Sequence, residues 1–339
     1  MDQDYQYTVC TWCLTFNHAP YIMDTLRGFC MQETNFPVIN VIIDDCSTDG
    51  EEDVIDSFVA NELDINDNST ARHDENDEFI VTFARHKTNQ NCFFVIYYYK
   101  ENHYSIKKAR PSVIDEWKEK AKYVAFCEGD DYWIHPLKLQ RQVDFMEENP
   151  DFSMCFHNAV VTYDNLDKAS YLFNNFVKNR EFHLSELLDK WICPTQSLLI
   201  RNPLFPLFPI KGSIIGGDWR VVLHCAANGR IWGMKAVMAC YRKTDLPFSL
   251  SNAYSRRSDE IFLKKVPVLV GFDEYTGGKY HDLVSKYISY YLKMGQIVAF
   301  KKKHGMMATC LLKPFSLLEI FWKRYIRPKL DKNAPTYSA

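Results

Sequence analysis

Asp130 and Asp131 have the clearest capacity for chemistry. They lie in Cys127-Glu128-Gly129-Asp130-Asp131-Tyr132-Trp133, directly after the β-type run Lys122-Tyr123-Val124-Ala125-Phe126. Magnesium and manganese prefer hard oxygen ligands, and take only one or two carboxylates when a phosphate supplies others. Two acids at the C-terminal end of a buried strand can therefore hold a divalent cation. That cation can clamp a diphosphate and stabilise a departing nucleoside diphosphate. The competing reading is a capped turn, with Asp130 binding local amides. A second acid pair, Asp44-Asp45, follows the apolar run Val38-Ile39-Asn40-Val41-Ile42-Ile43. Asp45 can accept the imide N–H of a uracil or thymine ring, bind ribose hydroxyls, or support the turn Ser47-Thr48-Asp49. Asp218 follows Gly216-Gly217 at an expected helix start. It can cap that helix, its pKa lowered by the dipole, or take a proton from an acceptor hydroxyl.

The elements that position these acids follow from hydrophobic pattern. Tyr7 to Leu14 reads as a first strand, and Thr15-Phe16-Asn17-His18 as the turn after it. A helix starts at Ala19-Pro20, where the missing N–H of proline is tolerated. Val38 to Ile43 is apolar almost throughout, as a parallel strand buried on both faces should be. Asp49 can cap the next helix, through Val54, Ile55 and Phe58. Asn61 to Asp77 reads as a solvated loop, Glu78 to Ala84 as a third strand, Asn91 to Glu119 as mostly helical, and Lys122 to Cys127 as a fourth strand. This β-α-β-α-β-α-β order predicts an α/β fold, a mostly parallel sheet with helices on both faces. Ligands of such sheets sit beyond the carboxyl ends of the strands, where both acid pairs fall. Further along, the pattern predicts a helix over Pro136–Glu148, a half-exposed strand over Phe152–Tyr163, and another strand over Cys193–Ile200. A helix from Gly216 to Asn228 and one or two strands over Ile231–Tyr241 follow, and beyond about Ser255 the chain reads as helical and basic.

Bulk properties exclude several classes. The net charge of −3 gives no overall basic field to draw nucleic acid. Late basic residues (Lys301-Lys302-Lys303-His304, Lys313, Lys323, Arg324, Arg327 and Lys329) alternate with Leu311-Leu312 and Phe315 to Trp322. They describe either an amphipathic segment resting on an anionic membrane or a packed helix with a cationic outer face. The acidic start Met1-Asp2-Gln3-Asp4 is unlike a secretory leader. No run reaches the roughly 20 apolar residues needed to span a bilayer. Eleven scattered cysteines then read as reduced thiols of a cytosolic protein. Cys10 and Cys13 form the one Cys-x-x-Cys; in a strand they face opposite sides. The aromatic content can stack sugars or bases, although a Phe/Tyr-rich core is the plainer reading.

Four motifs in order resemble the family 2 glycosyltransferases, inverting enzymes of the glycosyltransferase-A type fold. Leu14-Thr15-Phe16-Asn17 is similar to the family's Pro-Thr-Tyr-Asn, and Ile43-Asp44-Asp45-Cys46-Ser47-Thr48-Asp49 to its Val-Asp-Asp-Gly-Ser-Thr-Asp. Phe126 through Gln140 resembles the metal motif Leu-Cys-Glu-Gly-Asp-Asp-Tyr-Trp with its Pro-Leu-Lys-Leu-Gln sequel, and Gly217-Asp218-Trp219 resembles the acceptor-side acid. The likeness covers roughly Tyr7 to Tyr241. It implies that Leu14, Phe16, Asn17 and Asp45 contact the nucleoside. It further implies that Asp130 binds the ribose and diphosphate side, that Asp131, with Asp130 nearby, holds Mn2+ or Mg2+, and that Asp218 is the general base. Two departures stand out. Asn89-Gln90-Asn91-Cys92 lacks the glycine of the family's Asn-x-Gly. Tyr241-Arg242-Lys243-Thr244-Asp245 lacks the histidine that the family often carries after its last core strand, so that either another group serves or Arg242 or Lys243 neutralises phosphate instead.

The resemblance implies transfer of a sugar from a nucleotide-diphosphate donor, a UDP-sugar foremost, to a glycan or polyprenyl-diphosphate-linked acceptor. Synthesis of a bacterial surface polysaccharide, capsule or O-antigen, is the expected setting. The expected location is the cytoplasm, peripheral to the membrane. The expected organisation is a catalytic domain over 1–250, with a nucleotide-sugar half to 135 and an acceptor half after it, and a basic helical extension over 251–339. Two other readings compete. A nucleotidyltransferase should show a Gly-rich basic phosphate loop after its first strand, unlike Thr15-Phe16-Asn17-His18-Ala19. A catalytically silent carbohydrate-binding protein should not hydrolyse a nucleotide sugar.

Overall fold

The computed structural model describes residues 4–67, 69, 71–106, 108, 113–164, 168–211, 217–244 and 258–312. Strands β1 (Tyr7–Thr15), β2 (Val38–Asp44), β5 (Cys92–Tyr99) and β6 (Ala121–Phe126) lie in the order β6-β1-β2-β5, all parallel. Their side chains alternate between two buried faces, which is why the runs read as continuously apolar. On one face Val9, Cys13, Val38 and Ile42 meet α1 (Ile22–Cys30), α2 (Glu51–Glu62) and α4 (Lys138–Glu148). On the other, Cys10, Ile39, Val41 and Ile43 meet α3 (Val113–Glu119). Cys10 and Cys13 accordingly point to opposite faces.

The third parallel strand is not the expected one. Helix was anticipated over Asn91–Glu119, but Cys92–Tyr99 is β5, paired with β2 from Val38↔Cys92 to Asp44↔Tyr98. The aromatic and β-branched residues of Phe93-Phe94-Val95-Ile96-Tyr97-Tyr98-Tyr99 suit a pleated, doubly covered surface better than a helix. The strand anticipated at Glu78–Ala84 does form, as β4 (Phe79–Arg85), but antiparallel to β5. Its other neighbour, β3 (Arg72–Glu75), is exposed throughout and lies in the stretch anticipated as loop. At the head of α2 the cap position belongs to Gly50, with a φ of 88°. Asp49 instead accepts from the Glu51 amide through one oxygen and from the Ala19 amide through the other.

Beyond β6 the sheet continues through β11 (Leu199–Arg201), β8 (Phe152–Tyr163), β12 (Arg230–Lys243) and β10 (Arg180–Phe182). Two short strands, β7 (Tyr132–Trp133) and β9 (Tyr171–Leu172), attach to β12 and β8. β8 and β12 run parallel to each other and in the direction of β1, because antiparallel β11 stands between them and β6. The expectation of a half-exposed strand at Phe152–Tyr163 fails. β8 is buried over most of its length, with Cys155 in one core and Met154 and Phe156 in the other. The strand anticipated from Cys193 is shorter, because Thr195–Ser197 forms a 3-10 turn before β11.

Helix α5 (Leu184–Asp189) and α6 (Gly217–Asn228) cover this half. α7 (Ser258–Tyr275) and α8 (His281–Leu312) then pack on α6 through Phe208, Trp219, Leu223, Leu269, Phe272 and Tyr291. Lys301 to His304 are exposed on α8, but the basic and apolar residues from Lys313 onward lie outside the described residues. Among the described residues no helix is long and apolar enough to cross a membrane.

Candidate active site

The carboxyl ends of β6, β1, β2 and β5 form one edge, and the loops after them carry the acids. Two turns there use left-handed backbone outside glycine, Asn17 at φ 56° and Cys46 at φ 65°; asparagine tolerates this conformation better than most residues. The turns are joined through Glu51, a fully buried carboxylate at the first position of α2. Its Oε1 accepts from the Thr15 hydroxyl, and its Oε2 accepts from the His18 amide at 2.8 Å. The Ser47 hydroxyl lies 2.8 Å from Glu51 Oε2, beside Asp44, and accepts from the Asn17 amide. The Asn17 side-chain oxygen in turn accepts from the Thr48 amide at 2.7 Å. Asn17 is thus buried in the scaffold. Asp44 is buried as well; desolvation pushes its carboxyl up to about 7, against the opposing hydrogen bond from Ser47.

Asp45 is half-buried, and both its oxygens are engaged: Oδ1 accepts from the His103 amide at 2.8 Å and Oδ2 from the Tyr104 amide at 3.0 Å. It therefore holds the loop after β5 against the edge. Leu14, near the end of β1, and Phe16, in the turn that follows, are half-buried.

The metal-motif loop lies directly on this scaffold. The Gly129 amide donates to the Leu14 carbonyl at 3.0 Å. A Cβ at Gly129 would stand 2.1 Å from Thr15 Oγ1 and 3.0 Å from His18 Nδ1, so only glycine fits. Asp130 is half-buried, its Oδ2 4.0 Å from His18 Nε2. Asp131 is 2% exposed. Burial, with the Asp130 charge beside it, raises its carboxyl well above the usual range. Its Oδ1 accepts from the Arg242 amide at 2.8 Å, and no described residue donates to its Oδ2. Thr25 of α1 anchors the loop from below, within hydrogen-bond distance of the Gly129 and Asp131 carbonyls.

The Arg242 guanidinium lies between the rings of Tyr21 and Tyr132, 4.6 and 4.8 Å from their centres, and its Nη2 donates to Asp24 at 2.7 Å. Among the described residues its Nη1 is buried with no hydrogen-bond partner. Lys243 donates to the Tyr171 hydroxyl at 2.7 Å.

Asp218, at the start of α6, reaches the same edge through the 3-10 turn. Trp133, two residues after Asp131, donates from Nε1 to the Gln196 carbonyl at 2.9 Å. Thr195, next to Gln196, donates its hydroxyl to Asp218 Oδ2 at 3.0 Å. Asp218 Oδ1 also takes its neighbour's amide, Trp219 N, at 2.8 Å. Burial raises the Asp218 carboxyl, against the pull of Thr195 and the amides and the more distant Lys265 charge. This is opposite in direction to a simple helix cap. Gln196 is fully buried, and among the described residues neither polar atom of its side-chain amide has a hydrogen-bond partner.

Glu51, His18, Gln196 and the aromatic flanks of Arg242 were not legible as site residues. Glu51 reads in sequence as an ordinary first-turn acid; only its burial and three donors single it out. Among the described residues no three His, Cys, Asp or Glu side chains form a metal cage by themselves. The donors present (Asp131 Oδ2, the Asp130 carboxylate and nearby His18) instead fit a hard cation completed by phosphate oxygens.

No family model matches the chain. It is 29% identical over 231 residues to the uncharacterized protein Mb1547 of Mycobacterium bovis, and equally to the uncharacterized proteins MT1570 and Rv1520 of Mycobacterium tuberculosis. The matched region is 68% of this chain but only 57% of those relatives, so the chain spans little more than half their length. Among solved structures, S. aureus TarS 1-349 in complex with UDP-GlcNAc is similar at a TM-score of 0.47 and 14% identity, over 88% of this chain and 92% of that one. The mannosyltransferase PcManGT of Pyrobaculum calidifontis, in complex with GDP-Man and Mn2+, has a TM-score of 0.47 and 14% identity, over 93% of this chain and 81% of that one.

Proposed function

We propose that this chain is a glycosyltransferase that moves a sugar from a nucleotide-diphosphate donor to a hydroxyl acceptor with inversion, in the manner of family 2 and the glycosyltransferase-A type fold. One observation carries the reading. The acid of the metal motif and the acid proposed as base flank one buried turn, through Asp131–Trp133···Gln196–Thr195···Asp218. Four motifs in the family's order provide independent support.

Leu14, Phe16, Asn17 and Asp45 bound the nucleoside side of the proposed site. Asn17 and Asp45 act there through the loops they hold, since their polar atoms are engaged by protein. Asp130 and Asp131 would hold Mn2+ or Mg2+, which when bound supplies charge neutralisation of the leaving diphosphate. His18 is the imidazole nearest the acid pair, and we assign it the place of the histidine missing after Tyr241. The unpartnered Nη1 of Arg242 suits a phosphate oxygen. Asp218, kept half-buried and weakly acidic, takes the proton of the acceptor hydroxyl as that oxygen attacks the anomeric carbon opposite the leaving group. The product is a β-linkage from an α-linked donor.

A UDP-sugar donor, a glycan or polyprenyl-diphosphate-linked acceptor, surface-polysaccharide synthesis and a cytoplasmic, membrane-peripheral location belong to this proposal. So does the division near residue 250, which falls among residues 245–257, outside those described. The test is a panel of nucleotide sugars assayed with and without manganese for nucleoside diphosphate release. Turnover of one donor is expected with the metal, and Asp131→Asn should lower it by about 100-fold or more, as loss of a main electrostatic group does. Pyrophosphate release from nucleoside triphosphates would favour a nucleotidyltransferase, and no turnover of any donor would favour a silent binder.

A further inference from the structure

Asp273, His281 and Ser285 are joined in line at the turn between α7 and α8, among none of the residues proposed for sugar transfer. The turn is tight because Gly277 and Gly278 both take left-handed backbone, at φ 60° and 76°, a conformation that glycine adopts without steric cost. The Gly278 amide donates to the Asp273 carbonyl and the His281 amide to the Gly278 carbonyl, each at 3.0 Å. The last turn of α7 is thereby folded back on the first residue of α8. His281 Nδ1 then lies 2.7 Å from Asp273 Oδ2, and its Nε2 lies 3.2 Å from the Ser285 hydroxyl, one helical turn further along. The proton positions follow from the partners. A carboxylate only accepts, so Nδ1 carries the ring proton, and the Nε2 lone pair of the neutral imidazole accepts from the Ser285 hydroxyl. Both ends of the line are anchored by the core, because Phe272 precedes Asp273, Val284 precedes Ser285, and both apolar side chains are fully buried. The middle is open to solvent: the His281 side chain is 63% exposed, against 20% for Asp273. The Asp273 bond also makes the imidazole a better proton acceptor, raising its pKa.

We propose that Asp273, His281 and Ser285 form a second catalytic site, at which small activated carboxylic esters are hydrolysed through an acyl-Ser285 intermediate. A nucleophile within hydrogen-bond reach of a base, with the base held by a third group, is the arrangement that covalent catalysis uses. Ser285 Oγ attacks the ester carbonyl carbon as its proton passes to His281 Nε2. The bond from that carbon to the leaving oxygen breaks, the departing alcohol takes the proton from Nε2, and the acyl group stays on Ser285. Water then attacks the acyl carbon, its proton passing to His281 Nε2 and on to Ser285 Oγ as the carboxylic acid leaves. Ester and water become acid and alcohol, and the side chains return to their starting state. Asp273 stays ionised throughout; as the positioning residue it fixes the tautomer and steadies the imidazolium. Activated esters ask for little beyond a nucleophile and a base, which are what Ser285 and His281 supply, and the exposed imidazole leaves a small ester room to approach.

The test uses the whole chain with no nucleotide sugar or metal added. After treatment with diisopropyl fluorophosphate, peptide mass mapping should find the phosphoryl adduct on Ser285 in preference to the chain's other serines. The chain should also release nitrophenolate from p-nitrophenyl acetate, and Ser285→Ala should lose both reactions. His281→Gln should slow acylation by about 100-fold, the low end of what a positioned base contributes. Asp273→Asn tests the positioning role through the nitrogen-15 signals of the ring. The His281 proton should sit on Nδ1 in the wild type and move toward Nε2 in this variant, with acylation falling in step; a purely structural contact would leave the tautomer unmoved. Absence of an adduct on Ser285, or undiminished ester hydrolysis by Ser285→Ala, would overturn the proposal. Neither readout depends on sugar transfer.

Discussion

Asp218 shows how one hydrogen bond sets a working range. As the proposed base it must be ionised, so a carboxyl raised by burial would shift the acidic limb of kcat/KM to higher pH. The Thr195 hydroxyl opposes that shift by bonding the ionised form. Thr195→Val should therefore move the limb further up. A hydrogen bond contributing about 0.5–1.5 kcal/mol corresponds to roughly 0.4–1 pH unit. A pH–rate profile of the variant checks this; an unmoved limb would mean that Asp218 is not the titrating base.

Lys138 carries a second pH signature, in stability rather than rate. It is fully buried, bonds Gln142 Oε1 at 2.8 Å, and stands 4.0 Å from the Trp133 ring centre. Desolvation brings its ammonium down to about 7. Between that pH and the ordinary lysine value of about 10.4 the unfolded chain binds more protons than the folded one, so stability rises with pH across this window. Thermal melts should show the rise in the wild-type protein. Lys138→Met should flatten it, gaining on the wild type most near pH 7 and least near pH 10.

Among elements, the β1–α1 turn and the loop carrying Asp130 and Asp131 are in close contact at Gly129. Gly129→Ala would place a methyl 2.1 Å from Thr15 Oγ1, which is already fixed by Glu51 and cannot yield. Overpacking of this kind costs about 1–3 kcal/mol. Chemical denaturation should show a loss in that range, and donor turnover should fall with it because the loop also carries Asp130 and Asp131. Glu51→Ala tests the same junction from the other side. It strands the His18 amide, at a cost of about 1–3 kcal/mol, and takes one partner each from the Thr15 and Ser47 hydroxyls, which keep His18 Nδ1 and Asp44. A variant melting within a degree of the wild type would show that the two turns do not depend on Glu51.

In the whole molecule, the C-terminal helices complete a core rather than hang from one. Val268, Leu269 and Phe272 of α7 and Val284 and Tyr291 of α8 are buried against Trp219 and Leu223 of α6, the helix that begins with the proposed base. A chain ending at residue 257 would expose this apolar surface. It should bind a hydrophobic dye, aggregate, and lose transfer activity even with every motif residue present. A soluble, active truncated protein would contradict this.

How much of this was legible in the amino-acid order depended on distance along the chain. Val38–Ile43 and Lys122–Phe126 announce buried parallel strands by composition alone, and the acids after them must then fall on one edge, since parallel strands point their carboxyl ends the same way. Helix α6 likewise follows from its own local pattern. The aromatic run Cys92–Tyr99 was ambiguous because a doubly buried strand has no alternation to distinguish it from a buried helix; pairing with β2 decided it. Tertiary structure alone engaged Asp45 with the amides of His103 and Tyr104, gathered three donors on Glu51, and tied Asp218 to Trp133 through the Thr195–Gln196 turn. Each is a contact between residues remote in sequence, and its chemistry arises from burial and a particular neighbour, properties that exist only once the sheet has brought the segments together.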